Sequence, residues 1–507
     1  MERPAASVSQ DRLLPRRIRA RVRVPSVRVA AVTALLLASL VGVGSGVVSV
    51  PTQTGAGPDI RALTGAHTRA VWVQGDGTDP FAAGTRLTLM GFDSDDGRSE
   101  RAIVGQVGSY MKPLLTARGE RVVFSTRSAA GADSEVMIVA WNGSNARRLT
   151  KGFALAVWQD PADGREWAYI GLDRQRDTFR AVRRVRVDDP GASELVWNKT
   201  AVSADSFQVS TDGRLAGGLF PWPEAGVAEL PNRSWRKLGE GCWTDLTDVG
   251  TPLFWYFDGA HRNLTMVDLE AGSRWTVGIA GAPGFANAEA YHPRWTNHPR
   301  FLAVTGPYNQ GGQNQVRRGG AQAEVWVGRF ADDYSRVEAW SRVTRNSGGD
   351  AYPDVWIDRR RSGHQARSPG PLGPAPATAP AAGGAVSGFG VGRLTVSARL
   401  VAPGVIPSPR AIAPYRHALV ASVYDVVRVT GGSYSERRVL VAHWAIRDGQ
   451  VIAGARRIAG TTYELTLEPY DAHLELEGER LIMGEAVSGL RLFYDVGSAQ
   501  REERPPS

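Results

Sequence analysis

The 507-residue sequence has little cysteine and little lysine. Its one cysteine, Cys242, cannot form an internal disulfide, and it excludes a zinc site built from several cysteines. We expect it to be a small buried residue beside Trp243. There are four lysines against 56 arginines, so the positive charge is almost entirely arginine. We interpret that bias as a property of the genome rather than as a phosphate-binding design.

The motifs of two common catalytic classes are also missing. No Gly-x-Ser-x-Gly stands between a strand and a helix, since the nearest approach, Gly44-Ser45-Gly46, lies in an apolar segment. His261, His292 and His298 have no helical spacing and no cysteine nearby, so they match no closed zinc pattern. The sequence therefore predicts no metal and no cofactor, and it favours a protein that is not an enzyme without deciding the point.

The basic charge is concentrated at one end of the chain. The formal net charge is +9, and the first 28 residues, with eight arginines and two acids, account for +6 of it. The remainder is close to neutral for its size, so nucleic acid is not predicted as a partner.

Residues 29–50 form an uncharged run of 22 residues that follows this basic tail. That length is enough for a helix to cross a membrane. The positive-inside rule then keeps residues 1–28 in the cytoplasm and places the bulk of the chain outside the inner membrane, in the periplasm or beyond. A cleaved signal peptide is the alternative, because the glycines from Gly42 to Gly46 weaken the second half of the helix. Both alternatives predict an exported protein.

A turn followed by an apolar strand recurs through the middle of the chain. The turn glycines 119, 164, 213 and 250 are spaced by 45, 49 and 37 residues, which suits four-stranded propeller blades. Degenerate copies begin near His292 and Tyr352. The predicted strands are Arg121–Thr126, Glu166–Gly171, Leu215–Phe220, Leu253–Phe257 and Phe301–Thr305.

These repeats resemble the PD40 repeat of TolB-like six-bladed β-propellers, in which a polar turn with Asp-Gly precedes an apolar strand. The resemblance covers residues 66–360 and implies a six-bladed propeller. The strands Arg69–Gln74 and Thr85–Phe92 have no blade turn of their own. We therefore expect them to complete the last blade by pairing with Val355–Ile357. The resemblance does not decide function, because propellers serve as binding scaffolds and as enzymes.

Compositional changes divide the rest of the chain. Residues 51–65 read as a short polar tether, 361–392 as a linker rich in proline, alanine and glycine, and 498–507 as a disordered tail. Residues 393–497 resume a β pattern that predicts a small barrel or sandwich and loosely resembles an OB-like barrel. The fold class is therefore all-β, with one N-terminal transmembrane helix. The strands predicted in this last domain are Leu394–Val401, Ala418–Val429, Arg438–Ala445, Thr462–Glu468 and Arg480–Glu485.

The richest mixture of aromatic and polar residues falls in blades 4 and 5. Aromatic faces beside arginine and amide donors are what a sugar-binding groove requires. The alternative is that Trp295 is a core residue and that the histidines occupy ordinary turn positions. The candidate ligand-binding residues are Asp258, His261, Arg262, His292, Arg294, Trp295, His298, Arg300 and Tyr308.

Two functions follow from this sequence. The favoured one is a membrane-anchored binding or scaffold module of the bacterial cell envelope that recognises a glycan or a protein partner. The competing one is an extracellular glycan hydrolase or lyase whose acids meet at the propeller axis. The acids available for that chemistry are Glu240, Asp245, Asp258 and Glu289.

Overall fold

The computed structural model describes most of residues 59–497. The predicted basic tail, membrane segment, linker and C-terminal tail lie outside the described residues, apart from Gly392 at the end of the linker. Within the described part of the chain, no helix has both the length and the apolar character needed to span a bilayer. The intervals left out between 59 and 497 are 79–81, 83, 128–133, 249–250, 280–284, 286–288, 309–322, 360–391, 413–414, 477 and 484–489.

Six antiparallel sheets of at least four strands follow one another along residues 68–357. Blade 1 contains β4 (Met111–Leu115), β5 (Arg121–Arg127), β6 (Ser134–Ala140) and β7 (Arg147–Lys151). Blade 2 contains β8 (Phe153–Gln159), β9 (Glu166–Gln175), β10 (Thr178–Arg186) and β11 (Ser193–Trp197), with the short β12 (Val202–Ser203) beside β10. Blade 3 contains β13 (Phe207–Val209), β14 (Leu215–Leu219), β15 (Glu224–Glu229) and β16 (Trp235–Glu240).

The remaining blades have the same arrangement. Blade 4 contains β17 (Cys242–Asp248), β18 (Pro252–Phe257), β19 (Asn263–Asp268) and β20 (Arg274–Gly278). Blade 5 contains β21 (Glu289–Trp295), β22 (Phe301–Tyr308), β23 (Glu324–Phe330) and β24 (Val337–Arg342). Blade 6 contains β25 (Gly349–Ile357), β1 (Thr68–Gly75), β2 (Leu87–Asp93) and β3 (Arg101–Gly108).

The predicted closure of the propeller is confirmed. In blade 6 the inner strand β25 comes from the end of the propeller and the three outer strands come from its start. Ala70 pairs with Val355, and Thr68 pairs with Ile357. Because the two ends of the propeller share one sheet, the ring has no unpaired edge at its seam.

Three of the four turn glycines have the backbone conformation that the sequence predicted, and the fourth, Gly250, lies outside the described residues. Gly119, Gly164 and Gly213 have φ values of 69°, 71° and 76°. Such left-handed conformations favour glycine because a Cβ would be crowded. The apolar strands that follow each turn, β5, β9 and β14, lie where they were predicted.

Residues 60–64, predicted as part of the tether, form a short helix instead. Helix α1 (Ile60–Thr64) begins where the Asp59 side chain accepts a hydrogen bond from the Arg61 amide. Ile60 and Leu63 are buried among strands of blades 5 and 6. Five residues are too few for the sequence to show a helical period, so this packing was not predicted.

The C-terminal segment forms a closed barrel, which resolves the choice between a barrel and a sandwich. Strand β26 lies between β27 and β30, while β28 pairs with both β27 and β32, and β30 pairs with β32. The order 1-2-3-5-4-1, with the third and fifth strands parallel, is that of an OB-like barrel. Its strands are β26 (Leu394–Ala402), β27 (Ala418–Gly431), β28 (Arg438–Arg447), β30 (Thr462–Pro469) and β32 (Leu492–Asp495).

One barrel strand differs from the prediction. The fifth predicted strand, which starts at Arg480, is short β31 (Arg480–Ile482) and runs parallel to β27 outside the ring. The barrel is closed by β32, which was not predicted because four residues carry too little alternation. A further short strand, β29 (Gln450–Val451), pairs with β28, and 3-10 turns occur at Pro409–Ala411, Tyr470–Ala472 and Leu474–Leu476.

The barrel packs directly on blades 4 and 5. Tyr415, Ala418 and Val420 of the barrel share one apolar cluster with Cys242 and Trp243 of the propeller. The barrel therefore covers part of the two blades on which the sequence predicted a ligand.

Candidate functional site in the propeller channel

The inner strands of four blades share an unusual backbone feature. A non-glycine residue with positive φ, between 35° and 51°, stands at a break in the strand register. Such residues are uncommon, and bulges of this kind redirect a side chain at the rim of a sheet. We call this set the bulge residues: Lys112 of β4, Trp243 of β17, His292 of β21 and Tyr352 of β25.

Three of the bulge residues, from three different blades, lie side by side. The ring centroids of Trp243 and His292 are 5.7 Å apart, and those of His292 and Tyr352 are 4.1 Å apart. The Tyr352 hydroxyl donates to the Asp205 carboxylate just before β13, with a separation of 3.0 Å. The Trp243 indole N–H is buried and has no acceptor among the described residues. The channel thus presents three aromatic rings, a carboxylate and an uncommitted donor.

Lys112 adds a buried amine to the same region. Its Nζ donates to the Ala204 carbonyl oxygen at 2.9 Å, and its side chain is almost fully buried. Burial, together with repulsion from Arg294, lowers the pKa of Lys112 to about 7. Burial likewise raises the pKa of Asp205. Lys112 is therefore poised between charged and neutral forms near neutral pH.

Two carboxylates deeper in the channel bind neighbouring blades together. Asp245 accepts hydrogen bonds from the backbone N–H groups of Leu246 and Trp295, each at 2.7 Å. Asp354 accepts from the Leu115 backbone N–H at 2.6 Å and from Arg294 Nε at 2.8 Å. Burial raises the pKa of Asp245 to about 6. Since both acids accept hydrogen bonds from backbone N–H groups of an adjacent blade, their first role is to hold inner strands in register.

The predicted candidates separate into three groups, of which one reaches the channel. His292 is a bulge residue, and Arg294 lies two residues further along β21. Arg294 Nη2 donates to the Gln208 side chain of blade 3 at 3.0 Å, in addition to its bond to Asp354. Arg294 is partly exposed, as is Gln208, so this part of the channel is open to solvent.

The second group lies under the barrel. His261 is buried, stacks on Phe257, and its Nε2 lies 3.1 Å from the hydroxyl of Tyr415. The Asp258 carboxylate accepts from the Asn263 amide and from the Arg262 backbone N–H, at 2.7 and 3.0 Å. Burial raises the pKa of Asp258 and lowers that of Arg262. Asp258 stabilises the β18–β19 turn, and His261 contacts the barrel.

The third group belongs to the core of blade 5. Trp295 is 1% exposed, and its indole N–H donates to the Pro299 carbonyl oxygen at 2.6 Å. The His298 ring lies against Phe301, with 5.0 Å between centroids. Arg300 is buried against blade 5, where it donates to the Phe330 carbonyl oxygen, and Tyr308 is 1% exposed. Trp295 thus occupies the core position that was the alternative interpretation.

Four channel residues were not among the sequence candidates: Lys112, Asp205, Trp243 and Tyr352. They are separated by up to 240 positions and become neighbours only when the ring closes. A weak signal was available for two positions of the channel, because degenerate copies of the repeat begin near His292 and Tyr352. In the part of the chain that the structure describes, no three His, Cys, Asp or Glu side chains are grouped so as to hold a metal ion.

Comparisons with known proteins add similarities of fold and of partial sequence. No family model matches the chain. The tRNA-modifying protein YgfZ from Shigella boydii and that from Escherichia coli O127:H6 are 26% and 25% identical over 169 residues. This match takes in 32% of the chain and 48% of each relative, so the chain spans about half the length of the curated relatives it matches.

Solved structures resemble the chain more broadly, at low identity. TolB from Acinetobacter baumannii is 13% identical, with 58% of this chain and 69% of TolB covered and a TM-score of 0.40. Hydrazine synthase from Kuenenia stuttgartiensis is 12% identical, with a TM-score of 0.39. That similarity covers 58% of this chain and 47% of the hydrazine synthase chain. What this chain binds does not follow from these similarities. Six blades, closed by strands from both ends of residues 68–357, make this domain a six-bladed β-propeller.

Proposed function

We propose that this protein is a binding module of the bacterial cell envelope, anchored in the inner membrane through residues 29–50, whose ligand site is the propeller channel. The observation that carries the proposal is the contact between Trp243, His292 and Tyr352, with Lys112 and Asp205 beside them. Each bulge residue has a side chain able to stack or to form hydrogen bonds, in a backbone conformation that non-glycine residues rarely adopt. Strain of that kind is concentrated at functional sites.

The chemistry of the channel suits the end of a glycan chain. Tyr352, His292 and Trp243 supply ring faces and a buried N–H donor, while Asp205 and Arg294 supply a charged acceptor and donor. Sugars are recognised by this combination of apolar ring faces and directed polar groups. Because six inner strands enclose the channel, we expect it to admit the narrow end of a glycan chain rather than the broad surface of a large molecule.

The competing hydrolase or lyase has weaker support. Catalysis on a glycosidic bond requires two carboxyl groups that are free to act on the substrate. Asp245 and Asp354 are near enough to influence each other's charge, but each already accepts hydrogen bonds from backbone N–H groups. Of the other acids considered for this role, Glu289 is fully buried and paired with Arg480, and Asp258 stabilises a turn.

The test measures binding and product release together. The purified full-length chain in detergent is titrated with a panel of envelope polysaccharide fragments, and the supernatant is analysed for shortened products. Binding without products is expected, and Tyr352→Phe and Lys112→Met are each expected to weaken it at least tenfold. Tyr463→Phe, in the barrel, is the matched control and leaves binding unchanged.

Other results would redirect the proposal. Released fragments that disappear in Asp354→Asn would establish the hydrolase or lyase instead. Absence of binding to every fragment would reject the glycan and leave a protein partner as the ligand of the module.

A further inference from the structure

A cavity lies in the C-terminal barrel, and all of its described lining residues belong to that domain. Its volume is about 250 Å³. A cavity of roughly 150 Å³ lined by apolar side chains holds a benzene molecule, so this one has room for a single ring with a short substituent. Its walls come from the β27–β28 face, from the segment after β26 and from the loop after β29.

The walls of this cavity are apolar on one side. Val420 and Ala445 belong to the apolar cluster that joins the barrel to the propeller, and Ile406 and Ala455 pack against the same cluster. The segment 403–404 closes the side next to β26. These walls suit a flat ring or a short hydrocarbon chain.

The other side is polar and carries positive charge. His443, Arg456 and Arg457 line the cavity together with Ser422, and its described lining contains no aspartate or glutamate. The Ser422 hydroxyl accepts from the Gly404 backbone N–H at 3.0 Å, so its own proton is left for a ligand. Arg456 is exposed, which leaves its guanidinium able to turn toward a ligand.

A buried network fixes the polar groups behind this wall. Arg457 donates to Asp495 at 2.9 Å and to the Tyr424 hydroxyl at 3.2 Å. Tyr424 in turn lies 2.9 Å from His443 Nε2, and His443 Nδ1 lies 3.2 Å from Asp495. Because Arg457 already donates to Tyr424, the tyrosine proton points to His443. Asp495 thus neutralises Arg457, and Arg456 remains as excess positive charge at the rim.

We infer that the barrel cavity binds a small organic carboxylate, with its apolar part against Ile406, Val420 and Ala445 and its anionic group beside Arg456 and Ser422. The described lining of this cavity includes no channel residue, and its ligand does not depend on the function proposed for the channel. A ligand bound there would contact the part of the barrel that packs on blades 4 and 5.

The experiment uses benzoate as the probe on the full-length chain, with binding followed by saturation-transfer NMR and calorimetry. Benzyl alcohol has nearly the same shape without the charge. Benzoate is expected to bind at least tenfold more tightly than benzyl alcohol. Arg456→Gln is expected to remove that tenfold preference while benzyl alcohol binds as before. Arg416→Gln, another exposed arginine of the barrel outside the cavity, is the matched control.

A second variant tests the location. Ala455→Phe fills the cavity from an edge position and is expected to abolish binding of both probes, with the folded state checked by circular dichroism. The inference is overturned if benzoate does not bind at millimolar concentration, or if it binds no better than benzyl alcohol. It is also overturned if Arg456→Gln and Ala455→Phe both leave benzoate binding unchanged, because the anion would then occupy another site.

Discussion

Arg480 and Glu289 form an ion pair between the barrel and the propeller, and both side chains are fully buried. One guanidinium nitrogen of Arg480, Nη2, donates to both carboxylate oxygens of Glu289, at 2.9 and 2.7 Å. The other terminal nitrogen, Nη1, donates to the Gly259 carbonyl oxygen at 2.9 Å. A charge removed from water to this extent is tolerated only with its partner in place.

Replacing one member of this pair is expected to be more damaging than replacing both. Arg480→Met removes the guanidinium that donates to both oxygens of the buried Glu289 carboxylate, which costs about 3–5 kcal/mol of unfolding free energy. The double variant Arg480→Met/Glu289→Leu removes both charges and is expected to recover most of that loss. Urea denaturation followed by tryptophan fluorescence measures both. Additive losses in the double variant would show that the pair does not act as a unit.

The Lys112 amine predicts a specific pH dependence of stability. Its folded pKa is about 7, against 10.5 in the unfolded chain. Between these values the unfolded chain holds a proton that the folded chain has released, so stability increases as the pH rises through this window and is reduced below it. From pH 7.5 to 8.5 the wild type is expected to gain about 1.4 kcal/mol per pH unit relative to Lys112→Met.

The control for this experiment is the exposed lysine at position 151. Lys151→Met is expected to keep the wild-type slope of stability against pH, because its amine lies in water in both states. Parallel slopes for the wild type and Lys112→Met would contradict the lowered pKa.

Asp354 is expected to act as a structural link between blades 6 and 1 rather than as a catalytic acid. Both of its oxygens accept hydrogen bonds, one from the Leu115 backbone N–H and one from Arg294. Asp354→Asn offers one acceptor in place of two, so one buried donor loses its partner at a cost of about 1–3 kcal/mol. Asp163→Asn, in an exposed turn where one backbone N–H is accepted, is the control and is expected to change stability by less than about 0.5 kcal/mol. Equal unfolding free energies of Asp354→Asn and Asp163→Asn would show that Asp354 does not link blades 6 and 1.

The sequence predicted those features of the fold that depend on neighbouring residues. A glycine after a polar turn signals a local backbone conformation, so Gly119, Gly164 and Gly213 located the blades correctly. Alternation along β28 likewise separates Val439 and Val441 from Leu440, and the structure places the two sides in different apolar clusters.

The site depended on contacts that no local pattern encodes. Arg480 is 191 positions from Glu289, and the Tyr352 hydroxyl bonds to Asp205 147 positions away. The positive φ of Lys112 has no glycine or asparagine to mark it. The aromatic and basic composition of blades 4 and 5 was real, but it reflected a core residue of blade 5, Trp295, and a surface of blade 4 that meets the barrel.

The turn at Gly119 lies against the strand that closes the propeller. A Cβ built on Gly119 would lie 2.6 Å from the Trp356 ring of β25. That ring cannot withdraw easily, because its N–H donates to the Ala117 carbonyl oxygen at 2.9 Å.

Gly97 has nearly the same φ, 68° against 69°, but a Cβ built on Gly97 would have nothing within 4 Å. Gly97→Ala therefore measures the cost of the left-handed backbone alone, about 1 kcal/mol. Gly119→Ala is expected to cost about 1–3 kcal/mol more, because the added methyl group displaces Trp356 from the closing blade. Denaturation midpoints of the two variants measure the difference, and equal midpoints would show that Trp356 does not restrain the seam.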